Sequence, residues 1–337
     1  MRASSPAQQQ AWTSGGMPDV EKVGDGLWSI PVPIPANPLR YVLVYALELP
    51  DGVAIIDSGW NTEEAWTGLT RGLESAGATI RDVKAVLVTH VHPDHYGLAG
   101  RVREESGAWV GLHPKDAALL EARYDEVTGL VDANRRYMLR SGVPPEEADP
   151  LASASLEVRQ FVSQGKPDRL LEDGQKLDLP GWDLRVVWTP GHSPGHVCFV
   201  DPTRKLLFSG DHVLPRITPN IAIHPQQTDN PLADFLDALA KVRELDVEEV
   251  LAAHEYRFRG LATRVDQLTQ HHERRLDEVA RLVADKPELT CWEITRGLTW
   301  SRPWEENKGF MRRAALGETL AHLVLLELRG RIRRVGD

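Results

Sequence analysis

The segment THVHPDH at 89–95 limits the possible folds of this chain more than any other part of the sequence. It directly follows VKAVLV at 83–88, an apolar run rich in β-branched residues that predicts a buried strand. Side chains two residues apart in an extended segment point the same way. His90 and His92 can therefore both face one point just beyond the end of the strand.

The second half of the same segment points to a neighbouring position. Pro93 forces a turn, and the side chains of Asp94 and His95 follow that turn. Imidazole and carboxylate groups are ligands of zinc, and also of iron or manganese. Most single histidines are structural, but three histidines and one aspartate in one loop predict a metal site.

Three further polar residues each follow an apolar strand downstream. His192 lies in TPGHSPGH after the strand LRVVW, Asp211 lies in SGDH after KLLF, and His254 follows VLAA. Any one of these positions could be a coincidence. Together they predict that several strands deliver ligands to one edge of a common core.

Taken together, these segments resemble the metallo-β-lactamase-fold hydrolase superfamily over roughly residues 25–265. THVHPDH matches its HxHxDH signature, TPGHSPGH its third motif, SGD its fourth and AAHE its last. The resemblance implies an α+β fold, an αββα four-layer sandwich with a binuclear metal site at one edge. True β-lactamases of this fold often have Cys where this chain has Asp211, so the residues favour the broader hydrolase branch.

The resemblance also implies a role for each site residue. It implies two divalent metal ions, with zinc favoured and iron or manganese as alternatives. Asp57 in IIDSG matches the aspartate that supports the motif loop, although a strand-end turn residue is the alternative. His196 and His212 are not required by the pattern and are interpreted as supporting or structural. The first ion is assigned to His90, His92 and His192, the second to Asp94, His95 and His254, and Asp211 bridges both.

The sequence of 337 residues predicts three parts. Residues 1–20 are polar and rich in Gly, Ser and Pro, which predicts a mobile tail. Residues 21–262 form the catalytic domain, interrupted at 114–165 by a charged, largely helical insertion. That insertion is either a lid or substrate-binding element, or a surface excursion. Residues 263–337 are predicted to form a small C-terminal helical domain.

The C-terminal region has helical periodicity at 261–285, 289–298 and 312–329, and 331–335 could form a terminal strand. It resembles, more loosely than the core does, the winged-helix-like tail of the lactamase-β-like hydrolases in the glyoxalase II-like branch. Relatives there include acyl thioesterases and a single-strand RNA nuclease. A helical cap on the core, or a homodimer contact, is the alternative.

The predicted mechanism is hydrolysis by a hydroxide shared between two metal ions, since two adjacent ions lower the pKa of a common water toward neutrality. Asp94 is the predicted catalytic residue, which orients the hydroxide and then accepts or relays a proton. No Ser-His-Asp or Cys-His arrangement is evident in the sequence. No covalent enzyme intermediate is therefore expected.

The favoured substrate is a small thioester or other acyl ester, because a thiolate leaves without a general acid. A lactonase is a second alternative to a thioesterase, and a binding protein on a degenerate hydrolase fold is disfavoured because all seven ligands are present. A single-strand RNA nuclease is the first alternative, but the net charge of −10 opposes nucleic-acid binding. Its basic face would consist of Arg274, Arg275, Arg329, Arg331, Arg333 and Arg334.

Composition places the protein in an ordinary class. The apolar share of 42% and the charged share of 26% are typical of globular proteins. Cys198 and Cys291 are too few for a disulfide framework, which favours a reducing cytoplasm. No apolar run is long enough to span a bilayer, and the N-terminus lacks the apolar core of a signal peptide.

Overall fold

The apolar runs of the sequence form two β-sheets in a computed structural model that describes residues 1–120, 127–154, 160–163 and 165–335. The first sheet has the strand order β2-β3-β4-β5-β6-β7-β8, and the second has the order β1-β13-β12-β11-β10-β9. The strands are β1 (Arg2–Ala3), β2 (Glu21–Gly24), β3 (Leu27–Pro33), β4 (Tyr41–Leu49), β5 (Gly52–Ile56), β6 (Val83–Leu87), β7 (Trp109–Leu112), β8 (Arg169–Leu170), β9 (Arg185–Trp188), β10 (Val197–Asp201), β11 (Leu206–Gly210), β12 (Glu249–Ala252) and β13 (Phe258–Arg259).

Helices lie between and after these strands. The first half of the first sheet, β2 to β5, is antiparallel, and β5 to β8 are parallel. In the second sheet only β11 and β12 run parallel. The helices are α1 (Pro6–Ser14), α2 (Glu63–Ser75), α3 (Pro93–Tyr96), α4 (Ala99–Ser106), α5 (Pro114–Ala117), α6 (Val127–Arg140), α7 (Pro145–Ser153), α8 (Pro231–Arg243), α9 (Leu261–Asp285), α10 (Cys291–Gly297) and α11 (Phe310–Leu328).

Alternation along β4 explains the layered architecture. Leu43 and Leu47 pack against residues of the second sheet such as Phe199. Val42 and Val44 point the other way and pack with apolar residues of α2 and α4. Because successive side chains of a strand face opposite sides, a strand that is apolar on both faces requires a layer on each side.

A third apolar cluster covers the outer face of the second sheet. Residues of β10, β11 and β12 pack there with α8, α9 and α11. The order of layers is therefore helix, sheet, sheet, helix, which confirms the predicted α+β, αββα class. Among the described residues, no helix combines the length and the apolar character needed to cross a bilayer.

The N-terminal segment does not match the expected mobile tail over residues 1–20. β1 pairs antiparallel with β13, and α1 begins after Ser5, whose hydroxyl accepts a hydrogen bond from the amide of Gln8. Gln8 is 1% exposed and donates to the hydroxyl of Ser29. The prediction failed because α1 is polar and is held by side-chain hydrogen bonds, which leave no apolar periodicity to read.

The C-terminal helices follow the predicted order. α9 has the predicted bounds, and α10 and α11 lie within a few residues of them. The expected strand at 331–335 is not formed. These described residues follow α11 without regular secondary structure. The structure describes no strand between 263 and 335, so the winged-helix interpretation is not confirmed.

The insertion and the C-terminal region pack against each other. Apolar residues of α6 and α7 form one cluster with Trp292 of α10 and Leu316 of α11. The amide of Trp292 also donates to the carbonyl of Ser141 at 2.9 Å, and Arg312 forms an ion pair with Glu147 at 2.8 Å. The described part of 114–165 is thus helical as predicted and is fixed to the end of the chain.

Candidate metal centre

The predicted ligand segments meet at one end of the sandwich. The loop 89–95 follows β6, and the loop 189–196 follows β9. Asp211 directly follows β11, and His254 lies two residues beyond β12. The amide of Val197 donates to the carbonyl of Thr89 at 2.8 Å, which joins the two sheets at this edge. The structure thereby brings all seven predicted ligand side chains together.

The first cluster consists of His90, His92 and His192. His90 Nε2 and His92 Nδ1 lie 2.9 Å apart. His192 Nδ1 donates to the carbonyl oxygen of Asn220 at 2.9 Å, which leaves Nε2 of His192 facing the cluster. Because the orienting bond fixes the tautomer, the free lone pair is available to a metal.

The second cluster consists of Asp94, His95 and His254. Asp94 Oδ2 lies 3.4 Å from His254 Nε2 and 3.6 Å from His95 Nε2. His254 Nδ1 donates to the carbonyl oxygen of Tyr41 at 2.9 Å, so its Nε2 also faces inward. This set of two imidazoles and one carboxylate suits a divalent transition-metal ion.

Asp211 lies between the two clusters. Its Oδ2 is 3.4 Å from His192 Nε2 in the first cluster. Its Oδ1 is 3.2 Å from His254 Nε2 and 3.5 Å from His95 Nε2 in the second. Each carboxylate oxygen therefore faces a different cluster, which is the arrangement that a bridging ligand requires. The individual ligand roles remain predictions.

Unsatisfied buried atoms test whether metal ions fit these residues. Four buried atoms at the centre lack a hydrogen-bond partner of normal geometry among the described residues. An unpaired buried polar atom costs about 1–3 kcal/mol, so four in one place require a binding partner. A metal ion would satisfy imidazole nitrogens and carboxylate oxygens together. The four atoms are His95 Nε2, His192 Nε2, His254 Nε2 and Asp211 Oδ1.

The charges of the site also fit a cation. Burial lowers the pKa of His95, but nearby carboxylates, led by that of Asp57, outweigh burial and raise this pKa to about 9. The pKa of His254 is likewise raised, against burial, chiefly by Asp211. The carboxylates thus hold positive charge at this position, and divalent ions would supply it in place of protons.

Asp57 contacts both the motif loop and a predicted ligand. Its Oδ1 accepts a hydrogen bond from the amide of Thr89 at 2.8 Å, and its Oδ2 accepts one from His95 Nδ1 at 2.8 Å. Asp57 has a φ of 62°, in the left-handed region that few residues other than glycine adopt. Backbone strain of this kind is concentrated at functional sites.

The two additional histidines of the motifs lie behind the clusters. His196 Nε2 accepts a hydrogen bond from the amide of Asp211 at 3.1 Å, and its Nδ1 is 2.8 Å from the hydroxyl of Thr189. Both ring nitrogens of His196 are therefore occupied, one by the Asp211 backbone and one by the Thr189 hydroxyl. His212 is fully buried, and its ring packs edge-on against Phe235 with centroids 5.0 Å apart.

Sequence reasoning missed two residues that hold the first cluster. Asp116 is fully buried in α5, and its carboxylate accepts a hydrogen bond from the amide of Val91 at 2.8 Å. Asn220 supplies the carbonyl that orients His192. Asp116 follows the end of β7 by four residues, so the strand-end rule that selected the other site residues could have found it. The carbonyl of Asn220 has no signal in the sequence.

The proposed basic face of the C-terminal tail is largely neutralised by ion pairs. Arg329 pairs with Glu273 at 2.9 Å, and Arg331 pairs with Asp277 at 2.8 Å. Arg275 is only 9% exposed. Arginines whose charge is paired or buried release few counterions from a nucleic acid, so the structure gives the nuclease alternative no support.

Comparison with known proteins identifies the class. The family model of the metallo-beta-lactamase superfamily matches residues 37–254. The chain therefore belongs to the metallo-beta-lactamase superfamily of metal-dependent hydrolases.

Individual relatives agree with this assignment. A solved structure, metallo-beta-lactamase family protein TTHA1429 from Thermus thermophilus, is 33% identical, with a TM-score of 0.81, over 94% of this chain and 97% of that chain. "Probable metallo-hydrolase YqjP" of Bacillus subtilis (strain 168) is 24% identical over 85% of this chain and 88% of its own length. Human "Acyl-coenzyme A thioesterase MBLAC2" is 33% identical over 44% of this chain and 47% of its own length.

Proposed function

We propose that this protein is a binuclear metal-dependent hydrolase that cleaves a small thioester. The observation that carries the proposal is the convergence of seven ligand side chains on two adjacent clusters that share Asp211. When bound there, two divalent ions would activate a water molecule at neutral pH and polarise the oxygen of the scissile carbonyl. The groups of the chain itself perform the remaining steps.

Asp94 is the proposed proton acceptor. Its Oδ2 faces His95 and His254, which leaves Oδ1 to take the proton from the attacking water. The side chain of Asp94 is 14% exposed, whereas those of His95 and His254 are fully buried. Asp94 is therefore placed where water and substrate can reach the clusters, and it can pass the proton onward to solvent.

The leaving group supports the choice of a thioester. Both nitrogens of His196 are held by hydrogen bonds, and His212 is buried behind the ligands, so neither histidine is placed to protonate a leaving group. A thiolate, with a conjugate thiol pKa near 8.5, leaves without such a proton. The similarity to an acyl-coenzyme A thioesterase over 44% of this chain gives independent support.

A substrate panel tests the proposal. The metal-loaded protein is assayed on acyl-glutathione, acyl-coenzyme A and simple thiol esters, beside matched oxygen esters, lactones and single-stranded RNA. We expect turnover of one thioester class that chelation abolishes and added zinc restores. Asp94→Asn should fold, and at zinc concentrations that fill both clusters its kcat should be lowered by about 100-fold or more, the scale of a lost general base.

Two results would overturn the thioester assignment. One is metal-loaded protein that leaves every thioester intact while it cleaves a lactone or RNA. The other is thioester turnover that survives complete removal of metal, since the proposal places the chemistry at the two clusters. A shift of RNA cleavage with salt or heparin would identify the nuclease alternative directly.

A further inference from the structure

Asp116 joins the two loops that carry the first cluster. Its Oδ2 accepts a hydrogen bond from the amide of Val91 at 2.8 Å and another from the hydroxyl of Ser193 at 2.7 Å. Its Oδ1 accepts one from the amide of Gly195 at 2.6 Å. One fully buried carboxylate thus receives three donors from two loops that are about 100 residues apart in the sequence.

The positions of the donors connect Asp116 to the predicted ligands. Val91 stands between His90 and His92, so a displacement of its amide displaces both imidazoles. Ser193 directly follows His192, the third member of the first cluster. Each of the three ligands of that cluster is therefore the sequence neighbour of a residue that donates a hydrogen bond to Asp116.

Gly195 shows how closely the loops are fitted around this carboxylate. A Cβ atom on residue 195 would lie 2.5 Å from the backbone nitrogen of Asp116 and 2.7 Å from its Oδ1. Atoms at such distances overlap, so any larger residue at 195 would push the two loops apart. The second glycine of the TPGHSPGH motif is thus explained by its approach to Asp116.

The second cluster has different supports. His95 is held by the carboxylate of Asp57 at 2.8 Å, and His254 is held by the carbonyl of Tyr41 at 2.9 Å. Asp57 also accepts a hydrogen bond from the amide of Thr89, the residue before His90, so Asp57 supports both clusters. Supporting residues of this kind change metal affinity by about 10- to 100-fold when they are mutated.

We propose that Asp116 is a positioning residue for the first metal position, because its carboxylate sets the spacing between the loop of His90 and His92 and the loop of His192. This inference rests on the proposed binuclear site. It predicts that loss of the Asp116 carboxylate weakens metal binding at the first position more than at the second.

Zinc titrations of variants test this difference between the two positions. Asp116→Asn is nearly isosteric, but it places an amide donor where the loops present donors. Zinc binding is followed by the ¹⁵N resonances of the histidine rings, which report each cluster separately. In Asp116→Asn, we expect His90, His92 and His192 to require about 10- to 100-fold more free zinc, while His95 and His254 shift by less than about threefold.

Two further variants serve as controls. Asp57→Asn should weaken both clusters, because Asp57 holds Thr89, the residue before His90, as well as His95. Asp201→Asn removes another fully buried carboxylate, at the end of β10 far from the clusters. This carboxylate accepts a hydrogen bond from the amide of Arg204 at 2.9 Å. It should leave zinc binding at both clusters unchanged.

The inference is wrong if Asp116→Asn binds zinc at the first cluster as the wild type does, or if it weakens both clusters equally. If Asp116→Asn fails to fold by circular dichroism, Ser193→Ala replaces it and removes one of the three donors. That variant should weaken the first cluster by up to about tenfold, and no change would again overturn the inference. Wild-type protein that binds fewer than two ions would instead overturn the proposed function itself.

Discussion

Asp211 is the residue on which the two halves of the candidate centre depend. It follows β11 of the second sheet, yet one of its oxygens faces His95, which is delivered by the first sheet. Its backbone amide is held by His196 at 3.1 Å, so the position of the carboxylate is set from behind. A single carboxylate that touches both clusters cannot be lost without a change at both positions.

Replacing Asp211 with Ala should lower metal content and turnover together. The loss should exceed the roughly 10- to 100-fold typical of a supporting residue, because both clusters lose a ligand atom. Metal analysis after dialysis and thioester turnover measure the two quantities on the same sample. Asp201→Ala is the control for removal of a buried aspartate. Full turnover of Asp211→Ala with one ion bound would show that the bridging assignment is wrong.

At the residue scale, the sequence predicted those site residues whose ligand-type side chains come directly after an apolar strand. His90, His92 and Asp211 each follow an apolar strand, and a strand end is visible in the sequence. Asp116 lies four residues beyond the end of a strand, but its role depends on its donors Val91 and Ser193, which are distant in the sequence. Contacts between distant loops leave no periodicity or spacing that one sequence can reveal.

At the scale of elements, the apolar strands were predicted, whereas the proline-containing strand β3 was not. The segments at 83–87, 185–188 and 249–252 are strands as expected. β3 was missed although it pairs with β4 along its whole length, because LWSIPVP contains two prolines that weaken any strand pattern. β2 was also missed, because its four residues are too few and too polar to form a recognisable strand pattern.

Helix α1 illustrates an element that is held by polar contacts. Gln8 Oε1 accepts a hydrogen bond from the amide of Arg257 at 3.1 Å, and its Nε2 donates to Ser29 at 3.0 Å. Trp12 also packs edge-on against Tyr41, with ring centroids 6.0 Å apart. These contacts connect the start of the chain to both sheets.

Gln8→Ala should therefore destabilise the protein by about 1–3 kcal/mol, because it leaves the amide of Arg257 and the hydroxyl of Ser29 buried without that partner. Urea unfolding, followed by tryptophan fluorescence, measures the free energy. Gln10→Ala, two residues along the same helix and exposed, is the control and should change stability by less than about 0.5 kcal/mol. Equal stabilities of the two variants would contradict the docking role of α1.

At the scale of the whole molecule, the C-terminal helices share one core with the second sheet. Leu268 of α9 and Leu326 of α11 belong to the same apolar cluster as Val250 of β12. Buried histidines lie among these helices, and His322 Nδ1 donates to the carbonyl of Glu318 at 2.7 Å. Burial is the main reason that the pKa of His322 falls to about 4.

This histidine should make folding depend on pH. Because the pKa of His322 is lower in the folded state than its ordinary value of 6.5, the folded protein favours the neutral ring. Its contribution is complete above pH 6.5 and is lost as the pH falls toward 4, by about 3 kcal/mol in all. Urea unfolding in EDTA at pH 7, 6, 5 and 4 should therefore show a smaller decline for His322→Gln than for the wild type. Parallel declines would refute this account.

The separation of the ligand segments also has a consequence for how the chain folds. The first ligand, His90, and the last, His254, lie on different sheets, so the clusters form only once the two sheets have docked. We predict that this docking follows the rate-limiting step of folding, so that the ligands are still apart in the transition state. Metal should then slow the unfolding of the native protein strongly and leave its rate of folding almost unchanged.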